Sequence, residues 1–458
     1  MMFIWSALWY VVAVGFLVVV HEFGHFWVAR RLGFKVVRFS IGFGRPLLRR
    51  TIGGEDPCEL ALAPIPMGGY VKLLDEREGP VPESLRARSF THRPPWQRIL
   101  VLLAGPASNV VFAILLLWGM RWVSGIDDVR PIVGQVTAGS IAARAGLARG
   151  DEILAIDSRP VPDVRDVVFD LLDPILADGS AQLSVRSTGG KVQTLVFAVP
   201  DPGERKRLTE PSMLLEGLGF QFQELPVPPV VGEVVPDGPA GRAGLAAGDR
   251  ITAINAVPVG DFADVVRLIS AIPGQWATLE FQRGGAERTV RLQVGSADED
   301  GHTVGRIGVS RLSTIKYPDS VVRHRNLSPL AALGSAAADA WNLTAVQTRL
   351  LYRMLLGQVS VKNLSGPISI AQFAGESADA GASSFLGFLV LISLAIALFN
   401  LLPIPLLDGG QIVFQAAEWI KGRPLSERVQ LFGQQVGIAL LMLLLGVALF
   451  NDVSRQFG

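Results

Sequence analysis

Residues 21–25 read His-Glu-Phe-Gly-His. On an α-helix, positions i and i+4 share a face, so His21 and His25 can offer both imidazoles to one divalent metal. Glu22 then stands beside that metal, where a carboxylate can take a proton from water. The 458-residue chain has five histidines, and two of them are here. Either imidazole alone could be a polar side chain tolerated at a membrane edge. Three ionisable residues in five positions, at the end of an uncharged stretch, are costly there and point to function. The expected chemistry is hydrolysis assisted by one Zn²⁺ per chain, with Glu22 as the catalytic base.

Two imidazoles leave such a metal short of a third protein ligand. By residue type, His92, His302, His324 and Asp408 are available. Asp408 belongs to the run Asn400-Leu-Leu-Pro-Ile-Pro-Leu-Leu-Asp-Gly-Gly410. An acidic residue closing an apolar stretch needs a partner, which a metal supplies. An Asp-Gly-Gly turn that merely ends the stretch is the plainer account, and one residue can serve both ends.

The elements that must position these groups are long and apolar. Met1–Val20, Ile99–Met120, Ser383–Leu407 and Val429–Asn451 contain no charged residue. About 20 residues cross a hydrocarbon core of about 30 Å. The first stretch has neither a basic leader nor a small-residue cleavage site, so it reads as a span rather than a signal peptide. The predicted fold class is a polytopic α-helical membrane protein with four transmembrane helices. Composition agrees: 49% of residues are apolar and 18% charged, which excludes wholesale disorder. The charge balance is 42 − 41 = +1, which gives no footprint for nucleic acid. One cysteine, Cys58, excludes an internal disulfide framework. It reads as a buried, unreactive thiol.

Basic residues orient the spans. Arg30, Arg31, Lys35 and Arg38 follow the first; Arg86, Arg88, Arg93 and Arg98 precede the second; Lys421, Arg423 and Arg428 lie between the third and fourth. Residues 30–98 and 408–428 are therefore expected in the cytoplasm, with both termini and residues 123–382 on the other side. Spans one and three then run in the same direction, which brings His21, His25 and Asp408 to similar depth. His302 and His324 fall on the opposite side. His92 sits in a basic, Pro-flanked segment with nothing to direct it toward the first span.

Between spans two and three, Pro131–Val168 aligns without a gap onto Pro229–Val266, with 21 of 38 positions identical. An offset of 98 residues is too long for a solenoid unit and reads as a duplicated domain. The shared Arg-Ala-Gly-Leu-Ala-x-Gly-Asp, followed by an Ile-rich strand pattern, resembles bacterial PDZ domains. Gly217-Leu218-Gly219-Phe220 looks like a PDZ carboxylate-binding loop and is expected to open the second copy. Ser124-Gly-Ile126 is its weak counterpart in the first. Such loops converge backbone N–H groups on a peptide C-terminus beside an edge strand. Either domain could instead act as a spacer or steric screen.

Further pieces complete a pattern: Phe39-Ser-Ile-Gly-Phe-Gly44, Pro66-Met-Gly-Gly-Tyr-Val-Lys72, Ala104-Gly-Pro-Ala-Ser-Asn109 and Asn363-Leu-Ser-Gly-Pro-Ile368. With His-Glu-Phe-Gly-His, the Leu-Asp-Gly-Gly run and the tandem PDZ insertion, the chain resembles the site-2 protease family of intramembrane zinc metalloproteases, in its regulator of sigma-E protease branch. The resemblance covers nearly the whole chain. It implies zinc on His21, His25 and Asp408, Glu22 as general base and then acid, and substrate held by Asn400 and Pro403. It also implies a membrane-dipping, substrate-clamping β-hairpin within residues 34–72, where Gly42 and Gly44 serve substrate binding. The implied activity is cutting of single-span proteins in the bacterial inner membrane. Implied substrates are an anti-sigma factor in the envelope-stress response, after a first periplasmic cut, and remnant signal peptides. Implied partners are these substrates, the lipid bilayer, and peptide C-termini at the PDZ domains.

The expected organisation follows. It runs as a first transmembrane helix over 1–30, a cytoplasmic and membrane-associated β-hairpin region over 31–97, and a second helix over 98–122. PDZ (α+β) domains then occupy 123–215 and 216–310, with an amphipathic helical connector over 311–382. The third helix spans 383–408, a cytoplasmic loop 409–428, and the fourth helix 429–451. Two other functions compete: a PDZ scaffold with a vestigial metal site, and a metal transporter. The intact His21, Glu22, His25 and Asp408 weigh against the first, and the absence of inverted repeats among the spans against the second.

Overall fold

The computed structural model describes residues 2–54, 56–210, 213–223, 227–299, 302–312 and 321–457. Seven helices build the apolar part: α1 (Met2–Arg31), α2 (Pro95–Ser124), α3 (Pro329–Leu355), α4 (Pro367–Asp379), α5 (Ala382–Asn400), α6 (Asp408–Lys421) and α7 (Glu427–Phe457). Of these, α1, α2, α5 and α7 are long and apolar enough to cross a membrane. Their large side chains face outward. On α1, Leu8, Val12 and Phe16 are exposed, while Ala13, Leu17 and His21 are buried. Large apolar side chains on the outer face are what a helix shows where lipid, not water, is the solvent.

Between α1 and α2 lies one sheet made of β1 (Val36–Phe43), β2 (Leu48–Ile52), β3 (Cys58–Leu62) and β4 (Ile65–Leu73), in the order β2-β3-β1-β4. This differs from simple hairpins. Only β2–β3 is a local hairpin; β1 pairs with β3 in parallel and with β4 antiparallel. Cys58 is buried within it, among Phe34, Val36 and Phe39.

The long insertion contains two units of the same design. Each has a four-stranded antiparallel sheet, a longer amphipathic helix (Val164–Asp178 or Phe262–Ser270), and a separate two-stranded ribbon, to which the second unit adds another, Gly295–Glu299 with His302–Arg306. The repeated Gly-Asp is a turn lock: Asp151 accepts from the Ala148 N–H at 2.9 Å, and Asp249 from the Ala246 N–H at 2.8 Å. Both carboxylates are buried, so neither can be replaced without orphaning backbone groups.

The ribbons correct the boundary read from sequence. In the first unit β6 (Val133–Val136) pairs with β7 (Phe220–Phe222), and in the second β8 (Val231–Val234) pairs with β9 (Val309–Arg311). Leu214, Leu218 and Phe220 belong to the first unit's core. Gly217-Leu218-Gly219-Phe220 therefore closes the first unit rather than opening the second, and residues 213–222 move with it. The second unit's counterpart is Ile307-Gly308-Val309, where Gly308 has φ +74° as Gly219 has +81°. The shared bond is diagnostic: Thr137 N–H donates to the Gly219 carbonyl, and Val235 N–H to that of Gly308. Ser124-Gly-Ile126 has a different fate, because β5 (Ile126–Val129) pairs with β10 (Val322–Arg325) outside either unit.

Three further differences concern the helices. The connector is not surface-lying throughout: α3 buries Ala332, Ala336 and Ala340 and packs on α2 and α5. The third span stops at Asn400, because Pro403 and Pro405 cannot continue a helix. Residues 408–421, expected as a loop beginning at 409, form helix α6.

Candidate metal centre

α1 and α2 meet backbone to backbone. A Cβ on Gly24 would lie 2.2 Å from the Ala104 carbonyl oxygen. One on Gly105 would lie 2.3 Å from His25 Nε2 and 2.7 Å from His21 Nε2. Glycine at these positions is what lets α2 close over the two imidazoles. The Val101 carbonyl of α2 accepts from His25 Nδ1 at 2.7 Å, which leaves the Nε2 lone pair free to bind a metal.

The third group arrives from the break between α5 and α6. A Cβ on Gly409 would lie 2.3 Å from the Leu401 carbonyl oxygen, and one on Gly410 2.2 Å from that of Ile404. The Asp-Gly-Gly sequence is thus required by a tight fold-back that places Asp408 as the first residue of α6. Arg98 of α2 holds α6 through a buried ion pair to Glu418 at 3.0 Å. Glu418 also accepts from the Leu425 N–H, so the C-terminal end of α6 is tied to α2 and to the loop that follows it.

Asp408 Oδ2 lies 3.0 Å from His21 Nε2 and 3.4 Å from His25 Nε2, and the two Nε2 atoms are 3.2 Å apart. Zinc bonds of about 2.0–2.2 Å in tetrahedral geometry separate donors by about 3.3–3.6 Å. The residues present therefore fit zinc after an outward shift of a few tenths of an ångström. Two imidazoles and one carboxylate also form the donor set of catalytic zinc sites that keep a fourth position open.

Glu22 lines the same cleft. The Val71 backbone N–H of β4 reaches its carboxylate, and a Cβ on Gly69 would stand 3.3 Å from Glu22 Cγ. β4 is an edge strand of its sheet, so its other side presents backbone groups to the cleft. Asn400 lines the cleft too, with its amide donating to the Ile396 carbonyl at 3.0 Å.

Not every predicted residue comes to this place. Pro403 shapes the α5–α6 break without lining the cleft. Gly42 and Gly44, expected at substrate, sit at the far end of β1; Gly42 has φ +85°, and a Cβ there would meet the Ala63 carbonyl oxygen at 2.7 Å. Both have positive φ and turn the chain there. His92 bonds Arg86, and His324 lies 2.7 Å from Asp127, far from the triad. His302 heads a strand of the second unit. Sequence reasoning missed Gly105, Tyr70 and Gln411, the last two of which line the cleft. The small residues Gly105 and Ser108 in an uncharged span were the available signal for close helix approach.

A family model described as Peptidase family M50 matches residues 9–444. The chain belongs to peptidase family M50. It is 40% identical to the regulator of sigma-E protease RseP of Escherichia coli strain K12, covering 99% of each chain. The regulator of sigma E protease of Salmonella typhi is 39% identical, again over 99% of both. A relative named as a zinc metalloprotease in Neisseria meningitidis is 36% identical, over 98% of this chain and 99% of its own. Among solved structures, a PDZ domain from Listeria monocytogenes aligns with 20% of this chain and 94% of its own, at 21% identity and a TM-score of 0.18. As an M50 member the protein is a site-2 type zinc metalloprotease.

Proposed function

We propose that this M50 peptidase cuts single-span membrane proteins within the bilayer, at one zinc held by His21, His25 and Asp408. The observation that carries this reading is the meeting of three metal donors, each mostly shielded from solvent, between α1, α2 and the start of α6, beside an edge strand. Zinc bound there would supply a Lewis acid that polarises a carbonyl and lowers the pKa of water from its bulk value toward about 7. Glu22 accepts the proton of the attacking water and returns it to the leaving amide nitrogen. The Val71 N–H orients the Glu22 carboxylate for this. A transmembrane helix hides its peptide bonds, so substrate must unwind before cleavage. β4 then pairs with the extended segment, and Asn400 holds it from the opposite wall.

The relatives' names place them in the sigma-E response. By analogy, the substrates are an anti-sigma factor already trimmed outside, and remnant signal peptides. Basic residues at the ends of α1, α2 and α7 support an inner-membrane orientation with the catalytic end toward the cytoplasm and both termini in the periplasm. The two inserted units then stand in the periplasm as PDZ domains. They admit short external tails and exclude bulky ones, and the Gly217–Phe220 loop of the first offers a site for a peptide C-terminus.

The test is cleavage of a tagged single-span substrate with a short external tail, by wild type and by Glu22→Gln in the same membranes. Wild type should cut and lose activity with a zinc chelator, and Glu22→Gln should fall at least about 100-fold. Equal cutting by both would overturn the assignment.

A further inference from the structure

Three polar side-chain atoms near the metal centre are buried with no hydrogen-bond partner among the described residues: His21 Nδ1, and both Oδ1 and Nδ2 of Asn109. Asn109 has no exposed surface at all. A buried amide with neither end satisfied is uncommon in a native protein and calls for a reason. Its position supplies one. Asn109 stands one turn along α2 from Gly105, the residue in contact with His21 Nε2, and next to Ser108, whose hydroxyl donates to the carbonyl of Val20 at 2.8 Å. Its backbone carbonyl accepts from the Ser393 hydroxyl of α5 at 2.9 Å. Asn109 thus lies where α2 touches both α1 and α5, beside the turn of α1 that carries His21.

The two imidazoles are unequal in this respect. A histidine that binds metal through Nε2 carries its proton on Nδ1 and nearly always donates it to a fixed acceptor. His25 has such an acceptor in the Val101 carbonyl. His21 has none. We infer that Asn109 is the positioning residue for His21: when the centre is loaded, His21 Nδ1–H donates to Asn109 Oδ1. Rotation of the Asn109 amide would present its Oδ1 to that N–H. The amide suits the task because either of its ends can be presented by rotation, without placing a second charge in the membrane. This inference rests on the metal-centre reading above.

The experiment uses the full chain in detergent, with zinc affinity measured by chelator competition and the visible spectrum of the Co²⁺-loaded protein. Asn109→Leu removes the acceptor at similar volume and should weaken zinc about 10–100-fold and shift the Co²⁺ bands. Asn109→Asp keeps an acceptor and should restore most of the affinity. Thermal stability of the metal-free protein should be unchanged or raised in Asn109→Leu, since an unsatisfied amide is lost. Zinc affinity within about twofold of wild type in Asn109→Leu, with an unshifted spectrum, overturns the inference. If wild type itself binds no zinc, or His25→Ala binds as well as wild type, the metal-centre reading fails instead.

Discussion

At the scale of single residues, the centre depends on atoms that are missing as much as on those present. Gly105 contributes no side chain, and the space it leaves is filled by the Nε2 atoms of His21 and His25. Gly105→Ala should therefore abolish stoichiometric zinc and reduce cleavage by at least about 100-fold, since a 1 Å displacement at such a site costs that much. Gly119 lies on the same helix with nothing within 4 Å of its Cβ position, and Gly119→Ala should leave both unchanged. Metal content by mass spectrometry separates them, and full zinc in Gly105→Ala would refute the packing argument. The metal donors were legible because their types and spacing are chemical. Gly105 was visible only as part of a motif, because its function is a distance between two helices, and distance is not written in one chain segment.

At the scale of elements, the same limit explains the motif Asn363-Leu-Ser-Gly-Pro-Ile-Ser369. From sequence it is a connector with no assigned chemistry. Its meaning lies more than 80 residues away on α7. Asp452 is buried there and accepts from the N–H groups of Gly366, Ile368 and Ser369 and from the Ser369 hydroxyl. One carboxylate from another helix thus caps the start of α4, where donors would otherwise be orphaned. Asn451 binds the carbonyls of Val361 and Leu364 beside it. α4 in turn packs on α1, with Gly375 against Ser6. Asp452→Ala should cost at least about 2 kcal/mol, the scale of a lost cap with charged hydrogen bonds. It should appear as a melting temperature lower by several degrees in detergent. Asp452→Asn keeps one acceptor and should fall between. A melting curve for Asp452→Ala that overlays wild type would show that the cap is not stabilising. The repeat boundary failed in sequence for a related reason. The gapless alignment at offset 98 stops at Val266, whereas Gly219 and Gly308 are 89 residues apart. Nine residues of length difference hide the closing strands β7 and β9.

At the scale of the whole molecule, those closing strands decide how the insertion can be removed. The second unit needs Ile307 and Val309 for its core, so a cut that ends before them leaves an unfolded remnant. The clean ends are elsewhere. β5 and β10 pair in register from Ile126↔Arg325 to Val129↔Val322, and the Arg130 N–H donates to the Val321 carbonyl at 2.9 Å. The insertion therefore leaves and re-enters the helical part through one two-stranded stem. Replacing residues 131–320 by a two-residue Asn-Gly turn should close that stem as a hairpin. It should also keep α1, α2, α5 and α6 in place, since none of the metal donors lies beyond it. Contacts from the first unit to Ser360, Asn363 and Arg353 would be lost, which predicts some loss of stability but not of zinc. If the two units screen substrates by size, the shortened protein should cut both trimmed and untrimmed single-span substrates, where wild type cuts only the trimmed form. If they deliver substrate through a peptide C-terminus, the shortened protein should instead lose activity toward the trimmed form. A shortened protein that retains zinc and the selectivity of wild type would assign discrimination to the cleft itself, whose walls include β4, Asn400 and Gln411.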